Sequence, residues 1–292
     1  MIITRLKGGF GNQMFQYACG RALAIRNNDI LKMDTTGFEA TENTDTPRQY
    51  ALSDFNIQEN FASVAEVEHL RNPFGLFSKV LRGIHAKIFH ETYTGWHRKL
   101  LSKKSNIYLD GFWQTEKCFI GETDTIQKEF TLKKTLGAKA AAIALQIRPK
   151  DMTSTSSVSV HVRRGDVARD AATNQYYGIT TPEYYTKAIA YISEKEPNIR
   201  VFVFSDDIDW VQKNIPINHP TEYVSGKNIV TDCEEIILMS MCDHNIIANS
   251  SFSWWGAWLN QNPNKIIVGP KQWIKTGEHR HKDIMPDSWI RI

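Results

Sequence analysis

Short apolar runs, bounded by glycine and polar turns, alternate along this chain with stretches whose apolar positions recur at helical spacing. That alternation is the signature of an α/β protein. Residues 1–6 read as a buried strand and residues 7–12 as a glycine-rich turn. Residues 13–26 read as a helix, with Met14, Tyr17, Ala18, Leu23 and Ile25 roughly on one face, and residues 30–34 as a second strand. Strand, turn, helix and strand make one βαβ unit, which builds a parallel sheet. Residues 35–49 are polar, with Gly37 and Pro47, and predict a loop. Residues 149–157, opened by Pro149 and rich in serine and threonine, predict a linker. Beyond it the alternation resumes, with strands expected at 158–163, 200–205, 244–249 and 265–269. Helices are expected from Pro182, behind a Thr181 cap, after the Thr231…Glu234 capping box, and at 254–259. Two α/β domains facing a cleft follow, residues 1–150 and 151–292.

Composition narrows the function classes. Among 292 residues, 41% are hydrophobic and 23% charged, ordinary globular usage. Lys+Arg number 35 against Asp+Glu 32, a net +3, without the basic excess of a dedicated nucleic-acid binder. Residues 87–104 collect Lys87, Arg98, Lys99, Lys103 and Lys104 against Glu91. A solvated face is the first reading of that run, and attraction to the inner membrane surface or an acidic acceptor the second. No run approaches the roughly 20 apolar residues of a membrane span, and residues 1–7 lack the design of a signal peptide. The four cysteines form no CxxC pair, so a reducing, cytoplasmic setting is expected.

Three loops that follow expected strands carry chemistry, because ligands of open α/β sheets collect at the carboxyl ends of strands. Gly8-Gly9-Phe10-Gly11-Asn12-Gln13 lets backbone approach a ligand closely ahead of a helix start, and serves equally as a tight turn. A dinucleotide fingerprint would need a third glycine where Met14 stands, although Asp34 lies near the position of a ribose-binding acid. In His161-Val162-Arg163-Arg164-Gly165-Asp166, strand alternation puts His161 and Arg163 on one face and Arg164 on the other. An arginine fork there suits a diphosphate, and a structural Arg–Asp pair is the alternative. Asn249-Ser250-Ser251-Phe252-Ser253 opens a helix with three hydroxyls, either a phosphate cradle or an N-cap. The following Trp254, Trp255 and Trp258 read as core packing ahead of sugar stacking. Asp206, Asp207 and Asp209, at the end of another strand, offer a metal site, a nucleoside contact or a helix cap. P-loop, H-E-x-x-H and G-x-S-x-G signatures are absent.

These loops, together with Asp110-Gly111-Phe112-Trp113-Gln114-Thr115-Glu116-Lys117, occur in the order seen in bacterial α-1,2-fucosyltransferases, and the chain resembles that inverting glycosyltransferase family along nearly its whole length. The resemblance implies a GT-B-like arrangement of two Rossmann-type domains, GDP-β-L-fucose as donor, the 2-hydroxyl of a terminal galactose as acceptor, and no metal or other cofactor. It implies that Arg163 holds the β-phosphate as GDP departs. His161 and one of Asp206 or Asp207 would lie near the nucleoside, with Arg164, Ser250, Ser251 and Phe252 about the diphosphate or base. Gly11 and Asn12 would close on the donor from the other domain. Asp166 is the expected base, with Asp110, Glu116 and His161 as further candidates. The competing readings are a metal-dependent nucleotide-sugar transferase using Asp206, Asp207 and Asp209, and a nicotinamide-dependent oxidoreductase built on the first βαβ unit.

Overall fold

A computed structural model describes residues 1–38, 48–71, 88–90 (backbone only), 106–149, 155–165, 178–225, 230–275 and 283–292. The chain divides after Lys133 into two compact units, with Asp283 and Ile284 belonging to the first. The expected boundary at 150/151 is therefore corrected. Helix Ala138–Ile147 (α4) belongs to the second unit, where the Gly137 N–H donates to Glu234 (2.7 Å), Gln146 accepts from Arg200 (2.8 Å), and Arg148 donates to the Met241 carbonyl (2.8 Å). A polar stretch reads as a linker in sequence, but an apolar helix goes where it can bury its face. Much of the expected linker, residues 150–154, lies outside the described residues, while Ser156 and Ser157 already belong to a strand.

The first unit is built from β1 (Ile2–Arg5), α1 (Phe10–Arg26), β2 (Leu31–Asp34), α2 (Val64–Arg71), β3 (Ile88–His90), β4 (Ile107–Asp110) and α3 (Thr123–Glu129). Its strands are all parallel in the order β2-β1-β4-β3. The expected βαβ opening is present, but α1 begins three residues earlier than its apolar spacing suggested, at Phe10 behind a Gly9 cap. Twelve of the 17 residues of α1 are buried, so one-face periodicity understates it. Glutamines inside α1 are kept by pairing rather than by exposure. Gln16 bonds both the N–H and the carbonyl of Lys7. Gln13 donates to the Gly8 and Gln49 carbonyls and accepts from the Ala51 N–H. Strands β3 and β4 were not expected.

The second unit continues with β5 (Ser156–Val162), α5 (Pro182–Ser193), β6 (Ile199–Ser205), α6 (Ile208–Asn214), β7 (Thr221–Tyr223), α7 (Asp232–Met241), β8 (His244–Ile246), α8 (Ser251–Trp258), β9 (Ile267–Gly269) and β10 (Ile290–Arg291). All strands are parallel, in the order β10-β9-β8-β5-β6-β7. Counted within the unit this is 3-2-1-4-5-6 read from β7, the Rossmann order. The two sides of β5 differ in chemistry. Val158, Val160 and Val162 join the apolar core with Tyr185, Ile189 and Ile192 of α5. Ser157, Ser159 and His161 occupy the other side, where Ser157 bonds Asp243 and Ser159 accepts from Asn245. The capping box forms as expected, with Thr231 and Glu234 bonded reciprocally. Helices α7 and α8 meet at Gly256, where a Cβ would stand 2.8 Å from that of Met239. All four cysteines are buried free thiols. Among the described residues no helix is long and apolar enough to cross a membrane.

Candidate functional site

The order of the second sheet reverses between β5 and β8, and open α/β sheets bind ligands at such a point. Three of the expected loops lie there or next to it. His161, near the end of β5, is 7% exposed. Burial, reinforced by the charge of Arg163, pushes its pKa down to about 3. The ring is therefore neutral, and its Nδ1 has no hydrogen-bond partner among the described residues. A buried polar atom at the mouth of a Rossmann sheet calls for a partner beyond the described residues. The Phe252 ring lies 5.6 Å from the imidazole, which brings the loops after β5 and β8 together.

The two arginines part ways. Arg163 sits half-buried just past β5, and its charge bears on His161. The Arg164 guanidinium carbon lies 3.7 Å from the centre of the Trp210 ring, and its Nε is 3.6 Å from a carboxylate oxygen of Asp207. Strand alternation anticipates that separation. Asp206 accepts from the Arg164 backbone N–H at 2.8 Å, and a Cβ on Gly165 would stand 2.3 Å from its oxygen. Glycine at 165 is thus what lets Asp206 brace the loop carrying both arginines. Asp207 caps α6, accepting from the Trp210 N–H at 3.1 Å. Both carboxylates are tied to the fold, as the helix-cap reading foresaw for one of them. Asp166 lies outside the described residues, as does most of the basic run 87–104.

Ser250 caps α8 by accepting from the Phe252 N–H at 3.3 Å, and the Ser253 hydroxyl donates back to the Ser250 carbonyl at 3.4 Å. Ser251, the first residue of the helix, is partly exposed. The three hydroxyls therefore divide into two that build the helix start and one at its opening, where free N–H groups favour an anion.

Sequence reading missed Glu235, hidden in the first turn of α7 beside the capping box. Burial, with the charges of Asp232 and Asp206, raises its pKa to about 7 against an opposing bond from Ser225. The Ser225 hydroxyl also accepts from the Ser205 N–H at the end of β6 (3.0 Å). A proton-bearing carboxyl thus stands beside Asp206 up to about neutral pH. No local pattern marks it, since its environment is assembled from three separate elements.

In the first unit the strand order also reverses, between β1 and β4, and the segment 110–115 grips the glycine loop there. Asp110 pairs with Lys7 (2.8 Å) and Arg5 (3.2 Å). Its burial works to raise its pKa, but the two cations outweigh this and leave it lowered. A carboxylate so held is a poor proton acceptor, which removes Asp110 from the candidate bases. Gly8, at φ +76°, has a conformation few side chains tolerate, and a Cβ there would stand 3.3 Å from the Phe112 ring. The Gln114 side-chain amide donates to Oδ1 of the Asn12 side chain at 2.7 Å. Gly11 is buried in the first turn of α1. Asp34, the acid a nicotinamide ribose would need, is fully buried and already accepts from Tyr108 and Thr36. That occupation counts against the oxidoreductase reading.

Comparison with protein families matches residues 78–292 to glycosyl transferase family 11. The chain belongs to this family. An alpha-1,2-colitosyltransferase of Escherichia coli is 32% identical over 305 residues, covering 100% of this chain and 99% of that protein. The galactoside alpha-(1,2)-fucosyltransferase 1 of Mus musculus is 24% identical over 270 residues, 86% of this chain and 61% of that one. Among solved structures, the fucosyltransferase NodZ from Bradyrhizobium matches at TM-score 0.47 and 17% identity, over 87% of this chain and 91% of that one. The chain is thus a glycosyltransferase of family 11, in agreement with the sequence resemblance.

Proposed function

We propose that the chain transfers L-fucose from GDP-β-L-fucose to the 2-hydroxyl of a terminal galactose, with inversion. The observation that carries the reading is the neutral, buried His161, whose Nδ1 has no partner among the described residues, beside Arg163 at the switch point of a Rossmann sheet. A nucleoside diphosphate suits these two side chains, offering a hydrogen-bonding group to the imidazole and phosphate oxygens to a planar guanidinium. Support for the sugar comes from the fucosyltransferase relative, which is named for a galactoside acceptor and an α-1,2 linkage.

Inversion needs one in-line displacement. As the anomeric carbon–oxygen bond breaks, charge gathers on the β-phosphate. Arg163 and the N–H groups opening α8 at Ser251 stabilise it where it forms. Asp206 and Asp207 act through the loop and cap they build, and the positive charge comes from protein groups rather than from a metal. The acceptor proton passes to Asp166.

A second reading is favoured by the full-length relative named for colitose. Colitose is fucose without its 3-hydroxyl, so both donors would suit the same diphosphate site. The test is product formation from GDP-fucose, and separately GDP-colitose, with lactose as acceptor and EDTA present. An α-1,2-fucosylated product is expected. Transfer of colitose alone replaces the donor assignment, dependence on added metal overturns the metal-free step, and transfer from UDP-sugars alone overturns the whole reading.

A further inference from the structure

The β5–β6 ladder ends where Val162 faces Ser205, so the backbone N–H groups that follow need acceptors outside the sheet. Each finds a side chain. The Arg164 N–H donates to Asp206, and the Arg163 N–H donates to the phenolic oxygen of Tyr185, near the start of α5. Tyr185 is fully buried in the core beneath β5, and its hydroxyl is also bonded to Oγ1 of Thr180. A phenol that accepts an N–H still has its own proton to place, and the Thr180 hydroxyl takes it. Thr180 is itself held: Thr181 after it caps α5, and the carbonyl of Gly178 before it accepts from the Asn249 side chain at 3.1 Å, next to the Ser250 cap of α8. The Tyr185 hydroxyl thus joins the turn after β5 to the segment that leads into α5.

We infer that Tyr185 is a positioning residue that anchors the main chain of Arg163 from the α5 side of the sheet and so fixes where its guanidinium meets the diphosphate. This deepens the proposed function and rests on its assignment of Arg163 to the diphosphate. Val162 packs into the core with Tyr185, whereas the charge of Arg163 bears on His161, on the other side of the strand. Tyr185 therefore acts on the reaction through the backbone alone. A long side chain places its head group only as well as its own Cα is placed. With Tyr185 holding the N–H of residue 163 and Asp206 that of residue 164, the turn is clamped by two elements at successive residues. Misplacing a group by about 1 Å from a remote change costs up to roughly 10²-fold in rate.

Tyr185→Phe removes the hydroxyl and leaves the ring in the core. The expected result is a fall in kcat of roughly 10- to 10²-fold with the donor KM raised, since a displaced guanidinium holds both the bound and the departing diphosphate less well. In the Arg163→Ala background the same change should cost less than about twofold in either quantity. Tyr184→Phe is the control. Its hydroxyl is also buried but donates to the Ile247 and Val268 carbonyls (2.7 and 3.2 Å), so its loss should lower the melting temperature comparably and leave kcat within about twofold. A Tyr185→Phe loss that is equal in both backgrounds, or that Tyr184→Phe reproduces, would overturn the inference. If the parent uses neither GDP-fucose nor GDP-colitose, the functional reading fails by itself. Hydrogen exchange at the Arg163 amide then decides the anchor: exchange roughly 5-fold faster in Tyr185→Phe than in Tyr184→Phe, the worth of one buried hydrogen bond, upholds it, and equal exchange overturns it.

Discussion

Arg163→Ala is expected to lower kcat by roughly 10²–10³ while the protein remains folded. Arg163 follows the last residue of β5 and is half-buried, so its removal leaves the apolar side of that strand intact. The loss falls on the step in which the diphosphate gathers charge. Arg163→Lys should fail nearly as badly, because an ammonium is a point charge and cannot reproduce a planar fork against two phosphate oxygens. Arg164 provides the contrast. It stacks on Trp210 and faces Asp207, so its replacement should cost chiefly the order of the loop. The measurement is steady-state turnover beside a thermal melt for each variant. An Arg163→Ala enzyme within a few-fold of the parent would remove Arg163 from the reaction.

Trp254→Ala is expected to act on stability instead. Trp254 is fully buried, with the rings of Trp255, Trp258 and Trp289 at 5.0, 6.1 and 5.4 Å. Truncating a buried tryptophan costs about 3–5 kcal/mol. In a unit of this size that is a drop in melting temperature of roughly 10 °C. Trp255 and Trp258 pack edge to face at 5.3 Å, so the cluster behaves as a core rather than as a platform for sugars. A Trp254→Ala protein with an unchanged melt and a weakened acceptor would contradict that assignment.

What the sequence made legible follows from how local each signal is. The Thr231…Glu234 box and the Thr181-Pro182 start are contacts within one turn, and both form as read. Strand β5 announces itself because its seven residues show alternation. The parting of Arg163 from Arg164 could also be read, since it needs only the geometry of a strand. Strands β3 and β7 could not, and each is recognised by its pairing with β4 and β6. The boundary after Lys133 was missed for a similar reason. Helix α4 is assigned by its bonds to Glu234, Arg200 and Met241, all distant in sequence. At the site, residue types and their places at strand ends were legible, while the proton on Glu235 and the orientation of Asn12 were not. Both are properties of an environment: Glu235 is set by Asp206, Asp232 and Ser225, and Asn12 by Gln114.

The central claim is that the β5–β8 switch point of the second unit binds the diphosphate of a guanine nucleotide sugar. Calorimetric titration of the parent and of Arg163→Ala with GDP, UDP and NAD, each in EDTA, addresses it most directly. The account predicts saturable GDP binding to the parent, lost or greatly weakened in Arg163→Ala, with no comparable heat from UDP or NAD. GDP binding that is equally tight without the arginine, or preference for NAD, would contradict it.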